Sequence, residues 1–140
     1  MKNDCYVGLV IADIHAGAME SDRLFYELDE NFIKYIKSMK LIDFIVIAGD
    51  LFDSKLSLNS EHVRSIFAFL KELADLCVKK NIKLRIIKGT ESHDNKQLDT
   101  LRFLTHSNLD IKIFDKVCDE ELFPGCNVLY IPEEYVPSKA

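Results

Sequence analysis

Apolar residues gather in three short, nearly continuous runs: CYVGLVIAD (5–13), LIDFIVIAGD (41–50) and, more weakly, IKLRIIKG (82–89). Runs of this length, rich in valine and isoleucine, predict strands buried on both faces. Between them the apolar spacing changes to three and four residues. Leu24, Phe25, Leu28, Phe32, Ile36 and Met39 mark one face of a helix with Ser21 or Asp22 as its N-cap, and a second helix starts after Ser60 with Val63, Ile66, Phe67, Leu70, Leu73 and Cys77 on one face. The order strand, helix, strand, helix, strand predicts an α/β fold built on a mostly parallel sheet with right-handed crossovers. A shorter helix is expected near 96–107, with Leu98, Leu101, Phe103 and Leu104 turned inward. Two further strands are expected at 110–115 and 127–133, separated by an acidic loop containing Pro124 and Gly125. No repeat, low-complexity tract or linker divides residues 1–140, which read as a single domain.

Each of the three best strands runs into a polar cluster: ADIHAG (12–17), AGDLFD (48–53) and GTESHDN (89–95). Neighbouring parallel strands bring their carboxyl ends to one edge, where α/β folds bind ligands. Asp13, His15, Asp50, Asp53, His93 and Asp94 therefore converge in space if the sheet forms as predicted. Asp13 and His15 are two residues apart, so in an extended segment both side chains leave one face and can grip one ion. A carboxylate such as Asp50 has two oxygens and can bridge two divalent ions, and mixed imidazole and carboxylate ligands suit manganese, iron or zinc better than calcium. Any one of these clusters alone reads more simply as a helix cap or a turn. Three at one edge, two of them carrying histidine, favour a site. His62, in a helix's opening turn, and His106, near a helix end, lack that context and read as solvated or capping residues.

Composition narrows the partners. With 48% hydrophobic and 29% charged residues the chain is too apolar to be disordered. Its net charge of −5 advertises no polybasic surface for nucleic acid or membrane, so a phosphate substrate would need bound cations to attract it. Cys5, Cys77, Cys118 and Cys126 form no CxxC pair, no leader pattern opens the chain, and no apolar run approaches the roughly 20 residues of a membrane span. A reduced, cytoplasmic protein is expected.

The motifs DIH, GDLFD and a glycine-containing HD loop, in that order, resemble the Asp-x-His, Gly-Asp-x-x-Asp and Gly-Asn-His-Asp/Glu motifs of the calcineurin-like metallophosphoesterases. IADIHAG, IAGDLFDS and YIPEEY look most like the SbcD-type DNA nuclease subunit. The resemblance implies an αββα sandwich of which this chain is the N-terminal half, two divalent ions, with manganese the implied metal, and hydrolysis of DNA phosphodiesters. It implies that Asp13 and His15 hold the first ion, Asp50 bridges, Ser92 touches the second, His93 acts on the phosphate as a catalytic residue, Asp94 orients His93, and Asp53 supports the ligands. DNA, an SbcC-like coiled-coil ATPase and a second copy of the chain are the implied partners. Two departures stand out. GTESHD places Ser92 where the family has a metal-binding asparagine and inserts two residues after Gly89, so that Glu91 or Asn95 are alternative ligands. The family's later Gly-His-x-His segment is not found, so residues 1–140 are expected to be an incomplete domain, inactive alone. A phosphoesterase for small phosphodiesters, or an inactive assembly module for the ATPase, are the competing expectations.

Overall fold

The structure, a computed structural model, describes residues 5–57, 59–104 and 108–133. Strands β1 (Gly8–Ile11), β2 (Phe44–Ala48), β3 (Lys83–Ile87) and β4 (Ile111–Phe114) lie side by side in chain order, every pair parallel. The α/β fold with a parallel sheet is as the sequence predicts. Alternation along the strands sorts two faces. Leu9, Ile11, Ile45, Ile47, Leu84, Ile86, Ile111 and Ile113 share the face that joins the main apolar core, where the helices pack.

The first crossover comprises α1 (Ser21–Leu28), a π-helical turn (Asp29–Ile33) and α2 (Lys34–Ser38). A π turn inserts one residue into the helical repeat. The buried series therefore runs Leu24, Leu28, Ile33, Ile36, and Phe32, which simple spacing places in the core, is only half-buried. The N-cap is Glu20, without a side-chain capping bond, rather than Ser21 or Asp22. Ser21 instead pairs its Oγ with Nδ1 of His62 at 3.1 Å, joining the starts of two helices, so His62 is a tie and not a solvated residue.

The second crossover, α3 (Glu61–Lys80), begins as expected, with the Ser60 hydroxyl accepting from the Val63 N–H at 3.2 Å. Its inner face includes Val63, Ile66, Phe69, Leu70, Leu73 and Cys77, with Phe69 rather than Phe67 at the centre. Burial pushes the Cys77 thiol up to about 12. The third crossover is a 3-10 helix (Asn95–Leu104) in place of the expected α-helix. Leu98, Leu101 and Leu104 are all buried, and their spacing of three matches three residues per turn. The Phe103 side chain, His106 and the last residues of YIPEEY lie outside the described residues.

The acidic segment before Pro124 is a strand, not a loop. β5 (Cys118–Phe123) pairs antiparallel with β6 (Cys126–Tyr130) around a turn at Pro124 and Gly125, and this hairpin packs on the sheet face away from the helices. Tyr130 stacks on Phe114 with ring centroids 4.1 Å apart, and Phe123 stacks on Tyr6 at the same separation. Between these aromatic contacts lies Arg85 of β3, 2% exposed. Its Nε and Nη2 donate to Glu120 at 2.8 and 3.2 Å, and its Nη1 donates to the Leu84 and Asp110 carbonyls at 3.0 Å. Lys112 and the Tyr130 hydroxyl also meet Glu120. Glu120 is held below the usual carboxylate range: burial alone would raise it, but Arg85, Lys112 and Tyr130 outweigh that. The three consecutive acids of β5, Asp119, Glu120 and Glu121, thus lie on a strand that turns Glu120 inward and its two neighbours to the exposed side. Among the described residues no helix is long and apolar enough to cross a membrane, and the four cysteines are free.

Breaking a buried ion pair by removing one partner costs about 3–5 kcal/mol, and Asp110 still faces Arg85 here, so Glu120→Ala is expected to cost about 3 kcal/mol in urea unfolding. Replacing Arg85 and Glu120 together by apolar residues should cost less than that single change. A depressed folded pKa contributes stability that is complete above the ordinary glutamate value of 4.5 and lost as pH falls through the folded value. Wild type should therefore lose stability below about pH 4.5 more steeply than Glu120→Gln, which unfolding midpoints across pH 3–6 would show.

Candidate metal centre

The parallel register puts the carboxyl ends of β1, β2 and β3 on one edge, and the three polar clusters leave the sheet there. The first two segments do not simply turn away. They remain paired beyond the sheet through Asp13 N–H to Gly49 O, His15 N–H to Asp50 O, Ala16 N–H to Leu51 O and Asp53 N–H to Ala16 O, at 2.9–3.2 Å. That pairing is made with left-handed backbone at Asp13, His15 and Asp50, whose φ angles are 54°, 49° and 50°. Left-handed non-glycine residues cost of order 1–3 kcal/mol each and cluster at functional sites. Asp13 and His15 are therefore not on an extended strand, contrary to the reason the sequence offers for their shared direction.

Glycine makes room between the second and third segments. A Cβ on Gly89 would lie 2.2 Å from both the backbone nitrogen and Oδ1 of Asp50, and Gly49, at φ 91°, approaches the Gly89 Cα to within 3.0 Å of where its own Cβ would be. Two bare backbones in contact let one loop's side chain bond the other's amides. Asp50 Oδ1 accepts from the Thr90 N–H at 2.6 Å and Oδ2 from the Thr90 hydroxyl at 3.2 Å. Asp94, fully buried, accepts from the Phe52 N–H at 3.1 Å and the Gly89 N–H at 2.7 Å.

The convergence of side chains is close. His15 Nδ1 donates to Asp53 Oδ1 at 3.0 Å, which fixes its tautomer and leaves Nε2 facing Asp13 Oδ1 at 3.5 Å and Asp50 Oδ2 at 3.8 Å. His93 brings Nδ1 within 3.2 Å of the same Asp50 oxygen, and its ring meets that of His15 edge-on at 4.9 Å between centroids. Asp13 sits at the open side. Ser92, the expected second-ion ligand, is exposed, and Glu91 pairs with Lys88. Asp94 bonds the backbone of both loops rather than the His93 ring, so its described contacts are those of a brace. The Asn95 side chain lies outside the described residues.

Protonation follows from these contacts. Burial would lower the His15 pKa, but the bond to Asp53 and the charges of Asp50 and Asp13 outweigh it and raise it. Burial would raise that of Asp50, but the Thr90 N–H, His93 and the Thr90 hydroxyl prevail and lower it. Asp94 is pushed up, burial outweighing its backbone bonds and Asp50's charge adding to the effect. Without an ion, a proton on His15 stands among three carboxylates where a cation would serve the same electrostatic need, and the two compete for Nε2.

The residues fit a divalent cation. One ligand atom each from His15, Asp50 and His93 lie within 4.8 Å of one another. The buried Nδ1 of His93 has the Asp50 carboxylate as its close neighbour, at 3.2 Å. Two imidazoles and a carboxylate are a transition-metal set rather than a calcium set. The family profile of calcineurin-like phosphoesterases matches residues 9–130, a span that contains every one of these side chains. The chain belongs to the calcineurin-like phosphoesterases. No individual curated protein matches it. The family's chemistry is metal-dependent hydrolysis of phosphoesters, and the strand-end cluster is the part of this phosphoesterase equipped to hold the metal.

Backbone strain at a ligand gives a measurable opposition between stability and binding. Asp13→Gly relieves one left-handed residue while removing an exposed side chain. It is expected to leave stability unchanged or raise it by up to about 1 kcal/mol in urea unfolding, the relief being partly offset by the freer unfolded chain. The same variant should bind manganese more weakly by calorimetry.

Proposed function

We propose that this phosphoesterase is a metal-dependent phosphodiesterase of the SbcD type, whose substrate is DNA and whose partners are an SbcC-like coiled-coil ATPase and a second copy of the chain in the cytoplasm. The observation that carries the reading is the meeting of DIH and GDLFD at one sheet edge, with Asp13, His15 and Asp50 turned toward each other. The likeness of IADIHAG and IAGDLFDS to the nuclease subunit supports the DNA assignment within the family.

Asp13, His15 and Asp50 hold the cation, Asp53 keeps the His15 Nε2 lone pair aimed inward, and Thr90 keeps Asp50 ionised and in place. A divalent cation held here supplies positive charge to the phosphoryl oxygens and acidifies water for attack on phosphorus. Ser92 offers the second ion little from an exposed position, so the described residues supply ligands for one ion. Loss of one strong electrostatic element commonly costs a hundredfold or more in rate.

A second reading has its own support. A cavity of about 290 Å³ adjoins the cluster, and among the described residues its lining includes Asp13, Asp50 and Glu133 against a single lysine, Lys88. That volume suits a small phosphodiester.

Single-turnover assays with the chain in excess separate the two. Manganese-dependent cleavage of labelled single-stranded DNA is expected, too slow for steady-state detection and lost in Asp50→Ala. Cleavage of a bis-aryl phosphodiester without any cleavage of DNA would favour the small-substrate reading, and equal rates for wild type and Asp50→Ala would overturn both.

A further inference from the structure

Gln97 joins two loops at points that sheet pairing does not reach. It stands in the third crossover, four residues after His93. In an α-helix its N–H would donate to the His93 carbonyl, but the 3-10 geometry sends it to the Asp94 carbonyl at 2.9 Å. The His93 carbonyl is met instead by the side chain of the same residue, whose Nε2 donates to it at 2.7 Å. The second hydrogen of Nε2 goes to the Ser54 carbonyl at 2.9 Å, and Oε1 accepts from the Leu56 N–H at 2.7 Å. One N–H and two carbonyls fix which way the amide faces, because the reverse orientation would set its oxygen against two carbonyl oxygens.

These bonds end on or beside residues of the strand-end cluster. Ser54 follows Asp53, whose carboxylate accepts from His15 Nδ1 at 3.0 Å. The His93 N–H is bonded to Thr90 O at 3.0 Å, so with Gln97 on its carbonyl both backbone groups that flank its side chain are engaged. Leu56 in turn packs against the segment after β1, where a Cβ on Gly17 would stand 3.0 Å from Leu56 Cδ2. Asp94 ties the same two loops nearer the sheet, through Phe52 and Gly89. One brace between two loops leaves a pivot, and a second at Ser54 and Leu56 removes it.

We infer that Gln97 is a positioning residue for the strand-end cluster, its one side-chain nitrogen fixing His93 through the carbonyl and His15 by way of Ser54 and Asp53. The inference rests on the metal-dependent reading above and deepens it. A support of this sort sets the direction of a side chain rather than its chemistry.

Nuclear magnetic resonance of the metal-free chain tests the geometry. Wild type should show couplings across the hydrogen bonds from Gln97 Nε2 to the carbonyl carbons of Ser54 and His93, and absence of either would overturn the inference without any variant. Gln97→Met keeps the length of the side chain and loses its amide. In that variant the ring signals of His15 and His93 should both move, while those of His62, held by Ser21, stay in place. Calorimetry with manganese chloride should show the variant's affinity lowered about tenfold. Ser60→Ala, which removes the N-cap of α3, is the control for lost stability and should change affinity by less than about twofold. His62 signals moving as far as those of His15 and His93, an unmoved His15 signal, or equal manganese affinity in Gln97→Met and wild type would each overturn the inference. No manganese binding by wild type would instead sink the metal-dependent reading, and the couplings and ring signals would still decide the role of Gln97.

Discussion

A carboxylate removed from water must be met by donors, and Asp94 is met by the backbone amides of two different loops. One is Phe52 in the segment after β2 and the other is Gly89 in the segment after β3. These amides lie past the ends of their strands, where sheet pairing no longer satisfies them. A single buried side chain thus closes two backbone valences and fixes the distance between two loops. Both loops carry residues of the strand-end cluster: Asp50 and Asp53 on the first, His93 on the second. The contact of Gly49 with Gly89 is the steric condition for this arrangement, because any side chain at Gly89 would strike Asp50. Burial pushes Asp94 up, so the brace is an electrostatically costly one that the two N–H bonds only partly offset. The placement of the strand-end cluster depends on that compromise.

The opposite sheet face solves the same problem with opposite charge. Arg85 is buried on β3 and would be ruinous unpaired, yet the hairpin delivers Glu120 to it in bidentate geometry while Asp110 approaches from the other side at 2.9 Å. Apolar stacking at Phe114 and Tyr130 supplies area, and the ion pair supplies register. A one-residue slip of β5 would turn Glu120 away from Arg85. The helix face of the same sheet carries only aliphatic side chains and needs no such device. The two faces therefore use different physics, close packing on one and charge pairing on the other.

This division explains what the sequence discloses. Strand positions and the parallel order are legible because the apolar runs are short and dense, although only the central strands are covered on both faces and β1 leaves Val10 exposed, and α3 is legible because Ser60 caps it and its apolar spacing is regular. Periodicity misplaces Phe32 because a π turn adds a residue without leaving a compositional mark. The strand β5 is hidden because Glu120 is polar by residue type and buried by context. At the site, DIH and GDLFD announce themselves through residue type and spacing. The direction of the side chains does not, since left-handed backbone at Asp13, His15 and Asp50 replaces the extended geometry that spacing suggests. The third cluster is least legible: only the folded loop decides which of Ser92 and His93 faces inward.

Electrostatics then sets an order of binding. A phosphoester approaching this edge meets Asp13, Asp50 and Glu133 along the adjoining cavity, and Lys88, the lysine among the lining residues, is already engaged by Glu91. Like charges within a few ångströms of a partly buried phosphate are strongly repulsive. Protonating His15 offsets one negative charge, but it does so by occupying Nε2, the atom that a cation needs. A divalent ion would offset two and place a positive centre where an ester oxygen can reach it directly. Substrate affinity is therefore tied to cation occupancy at the same three strand ends, and a chain with net charge −5 can serve an anionic ester without any basic surface of its own. Where a basic patch would place fixed positive charge beside a phosphate, this edge has side chains that could hold that charge as a cation.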